Sequence, residues 1–158
     1  MPLNPSALAT DLADRLRPNP PSKEAAAAEI AAAYYTYCGG GAFGTSVPTL
    51  LPAMRDAMAS TIAGLMIGTI ADFVGAFDTA LAAFWDDVPV AGGSGAGSAQ
   101  PPTVSISTTT LTAAMVPPPP PTVDAFALEL ATALDTVTKS VQAPLTIPPA
   151  GPVPTPIT

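Results

Sequence analysis

Histidine is absent from this chain of 158 residues, cysteine occurs once, and charged side chains make up only 11% of it. Without an imidazole, Ser-His-Asp and Cys-His nucleophile arrangements cannot be built. With no histidine and a single cysteine, zinc has no ligand set, and an internal disulfide framework is impossible. The five basic residues are scattered singly against twelve acidic ones, for a net charge of −7. No basic patch is available to neutralise phosphates, so binding to nucleic acid or to an anionic membrane is not expected. The carboxylates fall mostly singly, and adjacent Asp86 and Asp87 would diverge on a helix. No Asp-x-Asp-x-Asp-Gly run gathers oxygens for calcium or magnesium. Lys23 and Lys139 adjoin Ser22 and Ser140, but a Ser-Lys dyad needs a buried lysine, and solvated surface lysine is the simpler reading. The expectation is a protein with no catalysis, no cofactor, no metal and no small-molecule substrate.

The shortage of charge is informative in itself. Apolar residues are 48% of the chain, whereas a solvated surface carries about 25–35% charged side chains. Much of this surface is therefore expected to be covered by copies of the chain or by a partner. The length suffices for one domain with a real core. Met1-Pro2-Leu3-Asn4 lacks a charged stretch followed by an apolar one, so no secretory signal is read there and the product is expected in the cytoplasm when made.

What the chain has is an apolar spine from Thr49 to Asp87, which holds its only Trp. Leu50, Met54, Met58, Ile62, Met66 and Ile70 recur at helical spacing, with Leu51 and Leu65 beside them. Pro52 fits only a first turn, which puts the helix start near Thr49. No charge occurs between Asp56 and Asp72, the pattern of a helix buried on most sides. That window is too short for the roughly 20 apolar residues of a membrane span. Gly68 suits a helix end, and Thr69 with Asp72 has capping-box spacing. A second helix then carries Ile70, Phe73, Phe77, Leu81 and Phe84, with Val74 and Trp85 alongside. One unbroken helix remains the alternative. Ser60, Gly64 and Gly68 recur every four residues, a spacing that lets helices pack closely.

Before the spine, Asn4 and Pro5 read as a cap and first helical residue. Leu8, Leu12 and Leu16 form one stripe, and Asp11 faces Arg15. The helix is too short to be stable alone, so it must dock on the body or on a neighbouring subunit. Pro18-Asn19-Pro20-Pro21 ends it. Ser22 caps an Ala-rich helix from Lys23 to about Tyr37, with Ile30, Tyr34 and Tyr37 on one face. These tyrosines read as core edge with hydroxyls reaching water. Cys38, at a helix C-terminus where the dipole disfavours a thiolate, reads as an inert packing residue. Gly39-Gly40-Gly41-Ala42-Phe43-Gly44 matches G-x-G-x-x-G literally. It follows a helix rather than a strand, so it is read as a flexible turn and not a dinucleotide fingerprint.

After the spine, Gly92 to Ser98 reads as a flexible linker. Thr103 to Thr112 alternates, with Val104 and Ile106 on one side. That pattern means either a strand, donated to another subunit for want of a partner in this chain, or a solvated loop. Pro117 to Pro121 reads as a polyproline spacer. Thr122 caps the last helix, with Phe126, Leu130, Leu134 and Val137 on its apolar face. Val74, Ala76, Phe77 and Leu81 echo Val123, Ala125, Phe126 and Leu130 at a spacing of 49 residues. A duplication and a shared packing demand explain this equally well. From Ala143 onward proline recurs too often for helix or central strand, so the tail is expected to be extended and ordered only against a partner.

The fold expected is mainly α, a bundle of about five helices with an extended or β-like arm and a Pro-rich C-terminal tail. Its parts are a docking helix at 1–21, a helical core at 22–91, a linker, arm and spacer at 92–121, a core helix at 122–142 and a tail at 143–158. The interface candidates are Leu8, Leu12, Leu16, Val104, Ile106, Leu145 and Ile147. Ala33-Tyr34-Tyr35-Thr36-Tyr37 running into glycines, Ala53-Met54-Arg55-Asp56-Ala57-Met58, Phe84-Trp85 before Pro89, and a closing Pro148-Pro149-Ala150-Gly151-Pro152-Val153 form a distinctive texture. It resembles small Ala- and Pro-rich proteins encoded among the structural genes of tailed phages and related contractile particles. The resemblance implies a virion structural subunit of capsid, neck, tail or baseplate, whose partners are its own copies and other particle proteins. It carries over no functional residues. A soluble adaptor or assembly chaperone with a Pro-rich recognition tail is the alternative, and a secreted or membrane-lying helical effector a third.

Overall fold

Helix starts in this chain are written locally, and the computed structural model, which describes residues 3–65, 69–107, 122–146 and 151–158, follows them. Helix α1 (Pro5–Leu16) opens with the Asn4 side chain accepting from the N–H groups of Ser6 and Ala7, and Pro5 occupies the first position. Helix α2 (Lys23–Cys38) is capped by Ser22, and α3 (Pro52–Leu65) starts on Pro52. Helix α4 (Ile70–Trp85) begins with a full capping box: the Thr69 hydroxyl accepts from Asp72 N–H, and the Asp72 carboxylate accepts from Thr69 N–H at 3.0 Å. Two orphan donors are thus satisfied reciprocally, so the spine is two helices rather than one. Gly68 and Met66 lie outside the described residues. Helix α5 (Val123–Thr138) is capped by Thr122.

The fold is mainly α, with five helices and small antiparallel strands among the described residues. Helix α1 packs on α5 and α2, α2 on α3, and α3 on α4. The rings of Phe73 and Phe126, 6.1 Å apart, bring α4 to α5. Inside this ring lie Leu8, Leu12, Tyr34, Met58, Ile62, Phe77, Leu81, Trp85, Leu130 and Leu134, all essentially without solvent contact. The echo at a spacing of 49 residues does not match the helix starts, because Val123 opens α5 whereas Val74 lies inside α4. A different correspondence is present: Lys23–Cys38 and Val123–Thr138 begin and end 100 residues apart, and Ala27, Ile30, Ala31, Tyr34, Tyr37 and Cys38 are buried as are Ala127, Leu130, Ala131, Leu134, Val137 and Thr138.

Strands close one end of the helical ring, and here several expectations need correction. The Gly92 to Ser98 stretch is not a linker but most of a hairpin, β2 (Pro89–Gly92) and β3 (Gly95–Ser98), with β1 (Ser46–Pro48) on the outer side of β2. Its glycines serve close approach rather than flexibility. A Cβ on Gly97 would lie 2.3 Å from the Pro144 carbonyl oxygen, and Gly95 sits at φ 112. The tail also folds back. Strand β4 (Gln142–Leu145) pairs antiparallel with β5 (Val153–Pro156), and Leu145 and Ile157 are buried in the chain's own core.

Proline tolerance in this pairing is a matter of parity. Ile157 N–H donates to the Val141 carbonyl, marking that as a bonded pair. Bonded pairs recur at every second residue of an antiparallel ladder, so Pro144, Pro154 and Pro156 fall on the intervening positions that need no N–H. The two sheets join where Ala96 and Thr146 exchange hydrogen bonds, and the end of β5 joins the glycine turn where Ala42 and Thr158 exchange theirs. Phe43, fully buried, bridges both Ser46 and Ile157, so the stretch after α2 is an anchored corner rather than a loose turn.

Residues 103–107 form no strand with another described part of this chain. The Thr103 and Val104 N–H groups donate to the Ser140 hydroxyl, and Ile106 N–H donates to the Asp78 carboxylate at 2.8 Å. Side chains of this same chain thus supply the acceptors that a second strand would have offered. Residues 108–112 lie outside the described residues.

Candidate functional site

The most organised polar feature is a buried network where α2, α4 and α5 converge. Large side chains on the last turns of α2 reach across to α4 and α5. Tyr34, fully buried, accepts a hydrogen bond from the Trp85 indole N–H at 2.9 Å, and its hydroxyl lies 2.7 Å from that of Thr138. Thr138 also bonds the Leu134 carbonyl one turn back. One turn along α2, the Tyr37 hydroxyl donates to the Asp135 carboxylate, whose other oxygen accepts from Lys139 at 2.8 Å. The tyrosine hydroxyls therefore point inward, not to water. Burying a phenol demands a partner, and Trp85, Thr138 and Asp135 provide it. No buried side-chain polar atom among the described residues lacks a partner.

This environment keeps its thiol and its two phenols protonated. Burial pushes the Cys38 thiol well above its ordinary range, only partly offset by its hydrogen bond with Tyr34. Burial likewise raises Tyr34. Tyr37 is raised by burial and then by its bond to the Asp135 carboxylate, which favours the protonated phenol. A thiol held in this way is a packing group and not a nucleophile. The arrangement fixes the register of three helices.

A cleft of about 640 Å³ lies beside the network, between the first half of α1 and the last turns of α2. Leu3, Leu8, Ala33 and Tyr37 form its apolar wall, with Asp11 and Arg15 on its rim. Its polar groups are engaged inside the chain: Asn4 caps α1, Thr36 bonds the Ala32 carbonyl, and Arg15 bridges Asp11 and Glu29 at 2.8 and 3.1 Å. No cluster of metal-capable side chains occurs among the described residues, and no helix there is long and apolar enough to cross a membrane.

The interface candidates separate into three groups. Leu8, Leu12, Ile106 and Leu145 are buried within the chain, and Leu16 is half-buried against the core. Val104 stays exposed at 47%. Ile147 lies outside the described residues. The sequence reading missed the outer faces of α3 and α4. There Ala57, Ser60, Gly64, Ala71, Gly75, Thr79 and Ala83 are exposed. The two charges between Asp56 and Asp86 are both engaged with backbone: Asp72 caps Thr69, and Asp78 holds Ile106. Gly64 and Gly75 sit in helices with no described residue within 4 Å of where a Cβ would stand. The small-residue spacing from Ser60 was the visible signal; its outward direction was not.

Comparison with known proteins adds nothing to this geometry: no family model, no curated protein and no solved structure matches the chain.

Proposed function

We infer that the chain is a non-catalytic structural subunit of a multi-subunit particle, of the kind found in tailed-phage virions, and that it is bound to copies of itself and to other particle proteins. The observation that carries this reading is the almost charge-free outer face of α3 and α4. Helix-interior glycine costs about 1 kcal/mol relative to alanine, and neither Gly64 nor Gly75 has a neighbour among the described residues that requires it. Close packing against another subunit accounts for both. The overall charge content of 11% points the same way. The terminal arms contribute less than the sequence suggested, because Leu8, Leu12 and Leu145 are spent on the chain's own core. A Pro-rich recognition tail is the weaker reading, since Val153–Pro156 is already paired with β4.

Size-exclusion chromatography with light scattering at micromolar concentration tests this. The expected result is an oligomer that Gly75→Glu and Ala83→Glu each dissociate while leaving the helical circular dichroism intact. A monomer at every concentration, with no binding to other particle proteins, would overturn it.

A further inference from the structure

We propose that α1 is an exchangeable arm, and that the groove it fills on α2 and α5 of its own chain is the docking site for α1 of a second copy. This rests on the reading of the chain as an assembly subunit and names one of its contacts.

Three features of α1 carry the inference. It is held from one side only: Leu8, Leu12 and Ala13 are buried, and the ion pairs Arg15–Glu29 and Arg17–Asp124 flank them. Among the described residues no backbone hydrogen bond ties α1 to another element, so it can leave without breaking a ladder. Its hinge, Arg17-Pro18-Asn19-Pro20-Pro21-Ser22, favours an extended path, yet Asn19 is held at φ 56 immediately before Pro20. Asparagine tolerates the left-handed region better than most side chains, but proline biases the residue before it toward extended backbone. Opening the hinge relieves that conflict. A cleft of about 640 Å³ runs beside the first half of α1, whose Leu8 is nonetheless buried. A 12-residue helix is marginal by itself, so a released α1 must be seated again. The identical groove on a second copy offers the same contacts, leaving hinge preference and concentration to decide the balance.

Arg17 and Asp124, exposed and 2.8 Å apart at their tips, report which chain supplies α1. The full chain carrying Cys38→Ala, Arg17→Cys and Asp124→Cys is treated with a short bis-maleimide over a range of concentrations, then run on a denaturing gel beside light scattering of the same samples. Exchange predicts a covalently linked dimer whose share rises with concentration and is missing when Arg17→Cys is present without Asp124→Cys. Adding Pro20→Ala, which eases the closed hinge, lowers that share; an unchanged or higher share overturns the proposal. Links confined within single chains at all concentrations also overturn it. If scattering then still reports an oligomer, exchange fails while the assembly reading stands; if scattering reports a monomer that also binds no other particle protein, both fail.

Discussion

The helical ring and the strand circuit differ in what holds each together. Every helix but α3 opens on a side-chain cap from its own immediate neighbour, Asn4, Ser22, Thr69 or Thr122. Its energy then comes from a broad apolar face. The strands have three or four residues each and little side-chain area to bury. They exist because Gly97 admits the backbone of Pro144, because the prolines keep to the non-bonded positions, and because Ala42, Ala96, Thr146 and Thr158 trade hydrogen bonds across long stretches of chain.

The sharpest way to break that contrast is Gly97→Val. Its branched side chain would meet a backbone oxygen at 2.3 Å that cannot move aside alone, so a loss of about 3 kcal/mol or more is expected in urea unfolding. If the loss stays below about 1 kcal/mol, the strands are less tightly closed than described. Trp85→Phe comes next. It removes the indole donor to Tyr34 and leaves a void in the middle of the ring, for about 2–3 kcal/mol. A double-mutant cycle with Tyr34→Phe should show coupling, because the two changes delete one hydrogen bond.

Alkaline pH probes the same network. Cys38, Tyr34 and Tyr37 are all raised in the folded chain, primarily by burial. In the unfolded chain they ionise near 8.5 for cysteine and about 10 for tyrosine. Above those values the unfolded state has lost protons that the folded state keeps. The stability these groups contribute is therefore full below about pH 8 and falls as pH rises, each steepening the slope by about 1.4 kcal/mol per pH unit. Tyr37→Phe should flatten the loss above pH 10; an unchanged melting temperature from pH 8 to 11 would contradict the burial described.

Thr69→Ala should cost about 1 kcal/mol by removing half of the capping box, with the effect confined to helix content and the strands unaffected. The smallest effect has the opposite sign. Gly75→Ala should stabilise the isolated chain by up to about 1 kcal/mol, since the site is open, and should weaken association if that face packs closely on a neighbour.

The same contrast explains what could be read from residues alone. Asn4-Pro5, Ser22, Thr69 with Asp72, and Thr122 were legible because a cap acts on N–H groups two or three residues away. Gly92 to Ser98 and the tail after Ala143 were misread because glycine and proline carry the same composition in a linker as in a tight strand corner. Nothing within a few residues of Gly97 announces Pro144. The tyrosines were placed on the right face of α2 but turned the wrong way, since the partners of Tyr34 and Tyr37 come from Trp85, Thr138 and Asp135, remote in sequence.

By itself, then, the sequence determined that the chain is mainly helical, where most helices begin, that the spine breaks at Thr69, and that its surface is poor in charge. Those properties follow from spacing, caps and composition, which act over one or two turns. The tertiary structure alone decided that both ends fold inward, that the Gly- and Pro-rich stretches form a closed strand circuit, and that α3 and α4 turn the small-residue face outward. Each of these depends on a meeting between distant segments, which short-range preference does not encode.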